Sequence, residues 1–333
     1  WHLACQSSLE DWLTDSDLSV QGQSWIVKPN DGFQGKGIEV ACCQEDLRRI
    51  LTKQPAAVVQ EYIRQPLLLD GRKWDLRLYA LILPDVHGQT RCFLAETGIA
   101  RVCADAYLQP TRQNIHRQTM HLTNYSLNKQ SNKNMPNQDP GNAHVGCKRT
   151  FLSVLSRLQA SQQIQASTEE VWRMLGDLVS ATVSAMMDNL ARFAFNKASW
   201  GGQADVASAA QEKYSSCFQI LGLDVLFDDG GKAWLLEVNC NPSFSLDAIR
   251  PLSGLKAADH ARLGATAPKG TCLLGHPCLC PAHSQAHVHY ACPVDMTVKL
   301  PVLEGALAIL AKAAPDSLQD TADLAHETIY RRL

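Results

Sequence analysis

The chain has 333 residues, of which 45% are hydrophobic and 19% are charged, and its formal net charge is −2. This length allows two or three domains, and the composition excludes a disordered chain. Because its apolar runs stay below the roughly 18 residues of a membrane span, we expect a soluble, cytoplasmic protein. The twelve cysteines are thinly spread, which favours reduced thiols. Since the chain begins at Trp1, we expect an upstream segment.

The first part of the chain mixes strand and helix patterns. Strands are predicted at 24–28, 37–42 and 56–63. A short helix is predicted at 45–53, between the second and third strands. Glycines 32, 35 and 37 follow Lys28, and such small residues let backbone N–H groups approach phosphate oxygens. Glycine-rich turns that bind nothing are common, so this loop alone is a weak signal.

Two polar strands are predicted next. In the strand at 74–83, Asp75 and Arg77 fall on one face together with the preceding Lys73, although a half-solvated strand has the same pattern. The segment HLTNYSLN is predicted as a strand with His121 and Thr123 on one face. We interpret His121 as a structural residue, because a histidine in such a position is more often that than a base.

The second part begins with a polar loop. Residues 128–146 are rich in Asn, Pro and Gly, which predicts a mobile segment. Ser167 and Glu170 form a capping-box pattern at the start of the longest predicted helix. Two apolar runs then flank Asp228-Asp229-Gly230-Gly231, which predicts a hairpin.

The hairpin carries three oxygen-bearing side chains. If Asp229-Gly230 is a two-residue turn, Asp224 faces Leu235 and Gly222 faces Glu237. Asp224, Glu237 and Asn239 then project from one side, as Mg²⁺ ligands would. A polar face of a solvent-facing strand is the alternative. We favour the metal, because the neighbouring residues are apolar and a buried carboxylate without a cation is costly.

Several segments match known signature blocks, in order along the chain. They are WIVKP with QGKGI, VVQEYI, KWDLRLY, ETGIAR, HLTNYSLNK, KRTF, and CFQILGLDVLF with LLEVNCNPS. Together they resemble the tubulin-tyrosine-ligase-like family of ATP-grasp ligases over about residues 25–251. The HLTNYSLN form and the Gln34-Gly35 pair are most similar to its polyglutamylase branch.

The resemblance implies a mixed α/β (α+β) fold of the ATP-grasp type. Two α/β halves would clamp ATP, and the sheet of the C-terminal half would be mostly antiparallel. We expect four parts along the chain. They are the glycine-loop half at 1–64 (with its N-terminal domain missing), the catalytic half at 65–251, a Cys/His-rich insertion at 252–295 and a helical segment at 296–333.

The resemblance also implies the residues that hold ATP. Lys28 and Lys73 would contact its phosphates, and Asp75 would contact the sugar or phosphate side. The glycine loop would contribute Gln34, Gly35 and Gly37. The adenine would be held by Gln60, Glu61, Tyr62 and Ile63.

Catalytic and metal residues are implied in the same way. Arg77 and Arg101 would steady the substrate carboxylate or the acyl-phosphate, with Lys73 beside them, and Thr123 and Asn124 would line the catalytic pocket. Mg²⁺ would be held by Asp224, Glu237 and Asn239.

The implied activity is ATP-dependent addition of free glutamate to glutamate side chains of tubulin tails. Residues 64–149 hold twelve Lys/Arg against six Asp/Glu, which suits an acidic tail. A donor with a second carboxylate needs a further cation, for which Arg77, Arg101, Arg112 and Arg117 are candidates. We expect a monomer without nucleic-acid or membrane partners, on the cytoskeleton and in cilia or basal bodies.

Two other functions remain open at this point. One is a ligase of the same family with another acidic protein as substrate or glycine as donor, and the other is a non-catalytic microtubule-binding relative. A Cys/His cluster at 272–292 offers a structural zinc site, against the alternative of a disordered loop.

Overall fold

The structure is a computed structural model. It describes residues 2–4, 23–32, 35–54, 56–84, 90–129, 131, 133, 136–198, 218–251, 287–312 and 328–333. Within these ranges, none of the helices combines the length and the apolar character needed to cross a membrane.

The first half is a four-stranded antiparallel sheet with one helix. Its strands are β1 (His2–Ala4), β2 (Trp25–Pro29), β3 (Glu39–Ala41) and β4 (Ala57–Glu61), in the order β1-β4-β2-β3. Helix α1 (Gln44–Lys53) turns Leu47, Ile50 and Leu51 towards Val27 and Val59 of the sheet, because its apolar residues recur at helical spacing. The predicted strands and helix of this half are confirmed.

The second half is a six-stranded antiparallel sheet. Its strands are β5 (Trp74–Pro84), β6 (Thr90–Val102), β7 (Lys148–Thr150), β8 (Gln219–Phe227), β9 (Ala233–Asn239) and β12 (Tyr330–Arg332). The order is β12-β6-β5-β8-β9, and β7 also pairs with β6. Two sheets with their helices therefore confirm the predicted mixed α/β fold with mostly antiparallel pairing.

Helices cover the two faces of this sheet unequally. Helices α4 (Phe151–Ala160) and α5 (Thr168–Ala198) pack on one face around the stacked rings of Trp74, Phe151 and Phe227. Helix α6 (Pro293–Lys312) packs on the other face against alternate residues such as Tyr79 and Leu81. The row of Asp75 and Arg77 shares that second face, because side chains alternate along a strand.

The capping box predicted for α5 is confirmed. Ser167 Oγ accepts a hydrogen bond from Glu170 N–H at 3.2 Å, and the Glu170 carboxylate accepts from Ser167 N–H at 2.8 Å. These two reciprocal bonds satisfy backbone donors that the first turn would otherwise leave unpaired.

The strand predicted for HLTNYSLN is wrong. The segment belongs to two one-turn helices, α2 (Gln118–His121) and α3 (Tyr125–Asn128). Asn128 is fully buried and donates to the carbonyls of Leu122 and Asn124 at 2.8 and 3.0 Å, while its oxygen accepts from Ala104 N–H at 2.8 Å. The Asn128 side chain thus takes the place of a neighbouring strand as hydrogen-bond partner for these backbone groups. The segment can therefore form helical turns although its apolar and polar residues alternate.

The loop of the carboxylate hairpin is also longer than predicted. Asp228 N–H donates to the Lys232 carbonyl at 3.0 Å, so three residues separate the paired positions. Gly231 takes a positive φ of 81° there, as the last residue of a three-residue hairpin loop commonly does.

A β-bulge in β9 brings Asp224 and Glu237 to the same face in spite of the longer loop. A regular ladder from a three-residue loop would place Asp224 opposite Leu236 and turn Glu237 to the other face. The bulge next to Asp224 adds one residue on β9, so Asp224 lies opposite Glu237 and Gly222 opposite Asn239. The predicted pairs are therefore wrong, but the predicted common face of the two carboxylates and Asn239 is correct.

Two further strands mark the base of the predicted insertion. Strand β10 (Asp247–Pro251) pairs antiparallel with β11 (His287–Ala291), and Pro251 lies opposite His287. The chain therefore leaves and re-enters the described structure at one place. The domain limits given by the sequence stay a prediction, as does the mobility of residues 128–146.

Candidate active site

The candidate site is the gap between the two sheets. A cleft lies there and adjoins a second, larger cleft. Lys28, Arg101, Asn124 and Glu237 belong to the walls of both. Concave sites between structural units are the usual place for small ligands.

The predicted residues distribute over these clefts. Twelve of them line the first cleft: Lys28, Gln60, Glu61, Tyr62, Ile63, Lys73, Asp75, Arg101, Thr123, Asn124, Asp224 and Glu237. Three more line the second cleft, namely Gly35, Arg77 and Asn239. Gly37 lines neither, and its carbonyl accepts a hydrogen bond from the side chain of Gln54, directly after α1, at 3.0 Å. Gln34 lies outside the described residues.

Charged side chains form a row across the sheet at the cleft floor. Asp75 of β5 lies opposite Arg101 of β6, and Arg77 of β5 lies opposite Asp224 of β8. Asp224 in turn lies opposite Glu237 of β9. Because opposed residues share a face, four strands contribute to one polar surface.

Arg101 links the two aspartates of this row. Its Nε donates to Asp75 at 2.7 Å, and its Nη2 lies 2.6 Å from Asp224. Arg77 Nη2 donates to Asp224 at 3.1 Å. Both aspartates are only 2% exposed, and carboxylates at that depth are costly unless they are paired. The two arginines therefore fix the two carboxylates in place.

Glu237 is the carboxylate of this row for which the described residues provide no arginine partner. Burial and the neighbouring Asp224 raise its pKa. Although burial opposes it, the charges of Arg101 and Arg77 hold the pKa of Asp224 well below its ordinary value. A cation placed between the two carboxylates would reverse the shift at Glu237.

The oxygen donors here fit Mg²⁺. The Asn239 amide N–H donates to Glu237 at 3.2 Å, which leaves the amide oxygen as a donor atom for a metal. Two carboxylates and an amide match the preference of Mg²⁺ for hard oxygen ligands. Asp224 would share its oxygens with the two arginines, so Glu237 and Asn239 fit the metal more directly.

Two lysines from different halves face this row. Lys28 of β2 donates to the Leu236 carbonyl of β9 at 3.2 Å, and the Lys73 ammonium lies 4.0 Å from the centre of the Tyr62 ring. Burial lowers the pKa of Lys73 to about 8 and also lowers that of Lys28. A bound phosphate would favour the charged form of both.

The segment predicted to hold adenine lies in the wall of the first cleft. The Tyr62 N–H already donates to the Ser24 carbonyl at 2.8 Å, so a base must use other backbone groups of residues 60–63. Within the described ranges, the buried Gln60 Oε1 has no hydrogen-bond partner. An unpaired buried acceptor suits an amino group such as that of adenine.

Thr123 and Asn124 join the two halves. Thr123 Oγ1 donates to Asp75 at 2.6 Å. A Cβ on Gly35 would lie 2.9 Å from Asn124 Cγ, and the φ of Gly35 is 82°, so this position requires glycine. The glycine loop therefore approaches the catalytic half by direct contact with Asn124.

His121 is a buried structural residue, as predicted. Its Nδ1 lies 3.1 Å from the Tyr62 hydroxyl, and its Nε2 lies 3.2 Å from Asn114 Oδ1. Burial lowers its pKa to about 4, so the imidazole is neutral at pH 7.

Two predicted cations lie outside the clefts, and five charged residues of the second cleft were not predicted. Arg112 pairs with Glu45 at 2.6 Å and Arg117 with Asp105 at 3.4 Å, and neither lines either cleft. The second cleft is instead lined by other charged residues to which the sequence gave no role. Lys36 and Lys129 lie in its wall, and so do Lys148, Asp295 and Lys299. Lys148 lies in the KRTF block, and the i,i+4 spacing of Asp295 and Lys299 is that of a helical ion pair.

The predicted zinc site falls largely outside the described residues. Of the Cys/His cluster at 272–292, only Cys292 has a described side chain, and it is buried. The zinc site therefore stays a prediction.

Known proteins match most of this chain. The model of the family described as "Tubulin-tyrosine ligase family" matches residues 5–250. Tubulin polyglutamylase TTLL11 of Mus musculus is 39% identical over 232 residues, which are 69% of this chain and 29% of that protein. Tubulin polyglutamylase ttll6 of Danio rerio is 33% identical over 226 residues, 68% of this chain and 26% of that protein. The chain spans less than a third of the length of these relatives.

Proposed function

The chain belongs to the tubulin-tyrosine ligase family, and on that premise we propose that it is an ATP- and Mg²⁺-dependent ligase. It joins free glutamate to glutamate side chains of tubulin tails and acts on the cytoskeleton, including that of cilia. The names of its polyglutamylase relatives support this substrate. The ATP-grasp fold of the family supports the use of ATP.

The observation that carries the proposal is the buried charged row facing two lysines. Amide formation from a carboxylate needs an activated acyl group and a place for the charge that develops. The row supplies arginines beside the carboxylates Asp75, Asp224 and Glu237. Lys28 and Lys73, which line the same cleft, supply cations for phosphate.

The reaction divides into two transfers. An oxygen of the acceptor carboxylate takes the terminal phosphoryl group of ATP, and ADP leaves. The amine of the donor then forms a C–N bond with the acyl carbon as the C–O bond to phosphate breaks, and the released protons pass to water and phosphate. Bound Mg²⁺ would neutralise charge on the phosphate oxygens.

Each group of site residues has a separate role in this reaction. Lys28 and Lys73 bind the phosphates, residues 60–63 hold the base, and Asp75 orients Arg101 and Thr123. Arg77 and Arg101 hold the substrate carboxylate in the position where it can react. Asp224, Glu237 and Asn239 would hold the metal. A non-catalytic relative would be expected to lack some of these phosphate-binding and metal-binding side chains, whereas this chain has them all.

The second cleft supports an acidic substrate over other choices. Among the described residues in its wall there are seven Lys or Arg side chains and two carboxylates. Such a surface attracts acidic chains and speeds their encounter at low ionic strength.

A labelled-glutamate assay tests the proposal. Microtubules, ATP and labelled glutamate are incubated with the protein, in parallel with reactions that lack ATP or that contain microtubules stripped of their acidic tails by protease. We expect incorporation only in the complete reaction. Incorporation that is independent of ATP, or none in the complete reaction, would contradict the proposal.

A further inference from the structure

Lys148 extends the charged row by one strand. It lies opposite Arg101 in the register of β6 and β7, so both side chains leave the same face of the sheet. It lines the second cleft, and its side chain is 15% exposed. A cation thus lies directly beside the arginine that faces the reacting carboxylate.

Helix α6 brings a second lysine to the same place. Asp295 is fully buried and pairs with Lys148 and, at 2.8 Å, with Lys299. Lys299 also donates to the Ser245 carbonyl at 2.7 Å, and the Lys148 ammonium lies 4.1 Å from the centre of the Tyr125 ring. Both ammonium groups are therefore held in position by protein contacts.

The charges of this cluster do not cancel. Among the residues that the structure describes, two ammonium groups share one carboxylate. One positive charge is thus left in a nearly closed part of the cleft, since Lys299 is only 5% exposed. An ion pair that served only to attach α6 to the sheet would need a single lysine. One further anionic group would complete the cluster.

We propose that Lys148 and Lys299 form the subsite for the second carboxylate of the donor glutamate, with Asp295 as their positioning residue. This inference rests on the proposed function and names the part of the site that selects an acidic donor. The sequence offered Arg112 and Arg117 as candidates for binding this carboxylate, but neither residue lines either cleft.

The span of the subsite fits a free amino acid. Cross-strand neighbours such as Arg101 and Lys148 have Cβ atoms about 5 Å apart. The two carboxyl carbons of glutamate are separated by four bonds of about 1.5 Å each, which is a similar span. One carboxylate of the donor can therefore share Arg101 with the acceptor carboxylate while the other contacts Lys148. The burial of Lys299 suits a free donor better than a long peptide.

Donor kinetics of Lys148→Met test the inference. We expect the KM for glutamate to rise by about tenfold or more, because one charge-assisted contact is lost. The preference for glutamate over glutamine, which lacks only the side-chain charge, should fall by a similar factor. Lys148→Arg, which keeps the charge, should restore most of the preference. Lys232→Met on the exposed hairpin loop is the matched control and should leave both values unchanged.

Trapping with hydroxylamine separates this inference from the proposed function. Hydroxylamine captures an acyl-phosphate on the tubulin tail when ATP is present and the donor amino acid is left out. We expect Lys148→Met to retain this trapping while its KM for glutamate rises. Absence of trapping in the unaltered protein would contradict the proposed function itself.

Two results would overturn the subsite. One is intact trapping in Lys148→Met with an unchanged KM for glutamate. The other is loss of trapping together with transfer, which would mark the cluster as structural support. If Lys148→Met does not fold, Lys299→Met is measured in the same way and judged by the same outcomes.

Discussion

At the scale of single residues, the site depends on how each carboxylate is paired. Asp75 and Asp224 are both held by Arg101, whereas Glu237 contacts Asn239 and the neighbouring Asp224. A buried carboxylate with a raised pKa beside a second carboxylate is suited to a cation. Glu237 is therefore the residue at which the loss of one charge should affect the chemistry most.

Glu237→Gln should abolish ligation and leave the fold intact. The change keeps the shape of the side chain and removes one anionic ligand, so we expect a rate loss on the order of 100-fold or more. The rate is measured at saturating Mg²⁺, with the melting temperature as the test of folding. Glu304→Gln on the exposed side of α6 is the matched control. Unchanged turnover of Glu237→Gln would remove this residue from the metal site.

At the scale of secondary-structure elements, long periodic segments could be predicted and short exceptions could not. The strand around Trp74 and the helix begun by Ser167 and Glu170 follow directly from periodicity and capping. The bulge beside Asp224 could not be predicted, because it depends on the loop length at Gly231 and on pairing across strands. The common face of Asp224, Glu237 and Asn239 was predicted correctly, because the shorter predicted loop and the unpredicted bulge shift the register in opposite ways.

The segment around His121 shows the same limit. Its alternation predicted a strand, but the buried Asn128 stabilises two one-turn helices through side-chain contacts that pattern alone does not reveal. His121 itself is held between Tyr62 and Asn114. The role of His121 as a structural residue was predictable, and its partners were not.

The burial of His121 predicts a pH dependence of stability. Burial lowers its pKa to about 4, below the ordinary 6.5, so the unfolded state binds a proton between these pH values that the folded state does not. The free energy of unfolding contributed by neutral His121 is thus fully present above pH 6.5 and is lost as the pH falls to about 4.

Denaturant unfolding of the protein and of His121→Gln between pH 7.5 and 4 measures this contribution. We expect the stability advantage of the unaltered protein over the variant to shrink from pH 6.5 downwards, since other titrating groups cancel in the difference. His116→Gln, at an exposed histidine, is the control. A difference that stays constant over this range would show that His121 does not keep its lowered pKa.

At the scale of the whole molecule, the two halves and their cleft were predictable, but the contribution of the C-terminal segment was not. Strand β12 pairs with β6, and Arg331 pairs with Glu96 of β6 and Glu169 of α5. A three-residue strand carries too little periodicity to indicate a partner more than two hundred residues away. Helix α6 likewise brings Lys299 into the second cleft, and its sequence gave no indication of that role.

The central claim is that the cleft between the two sheets joins glutamate to acidic tubulin tails. Mass spectrometry of tubulin tails tests it most directly, after incubation of microtubules with the protein, ATP and an equimolar mixture of glutamate, glycine and tyrosine. The account predicts added glutamate residues linked to side-chain carboxylates of the tails. Tails that carry added glycine or tyrosine without added glutamate would contradict it.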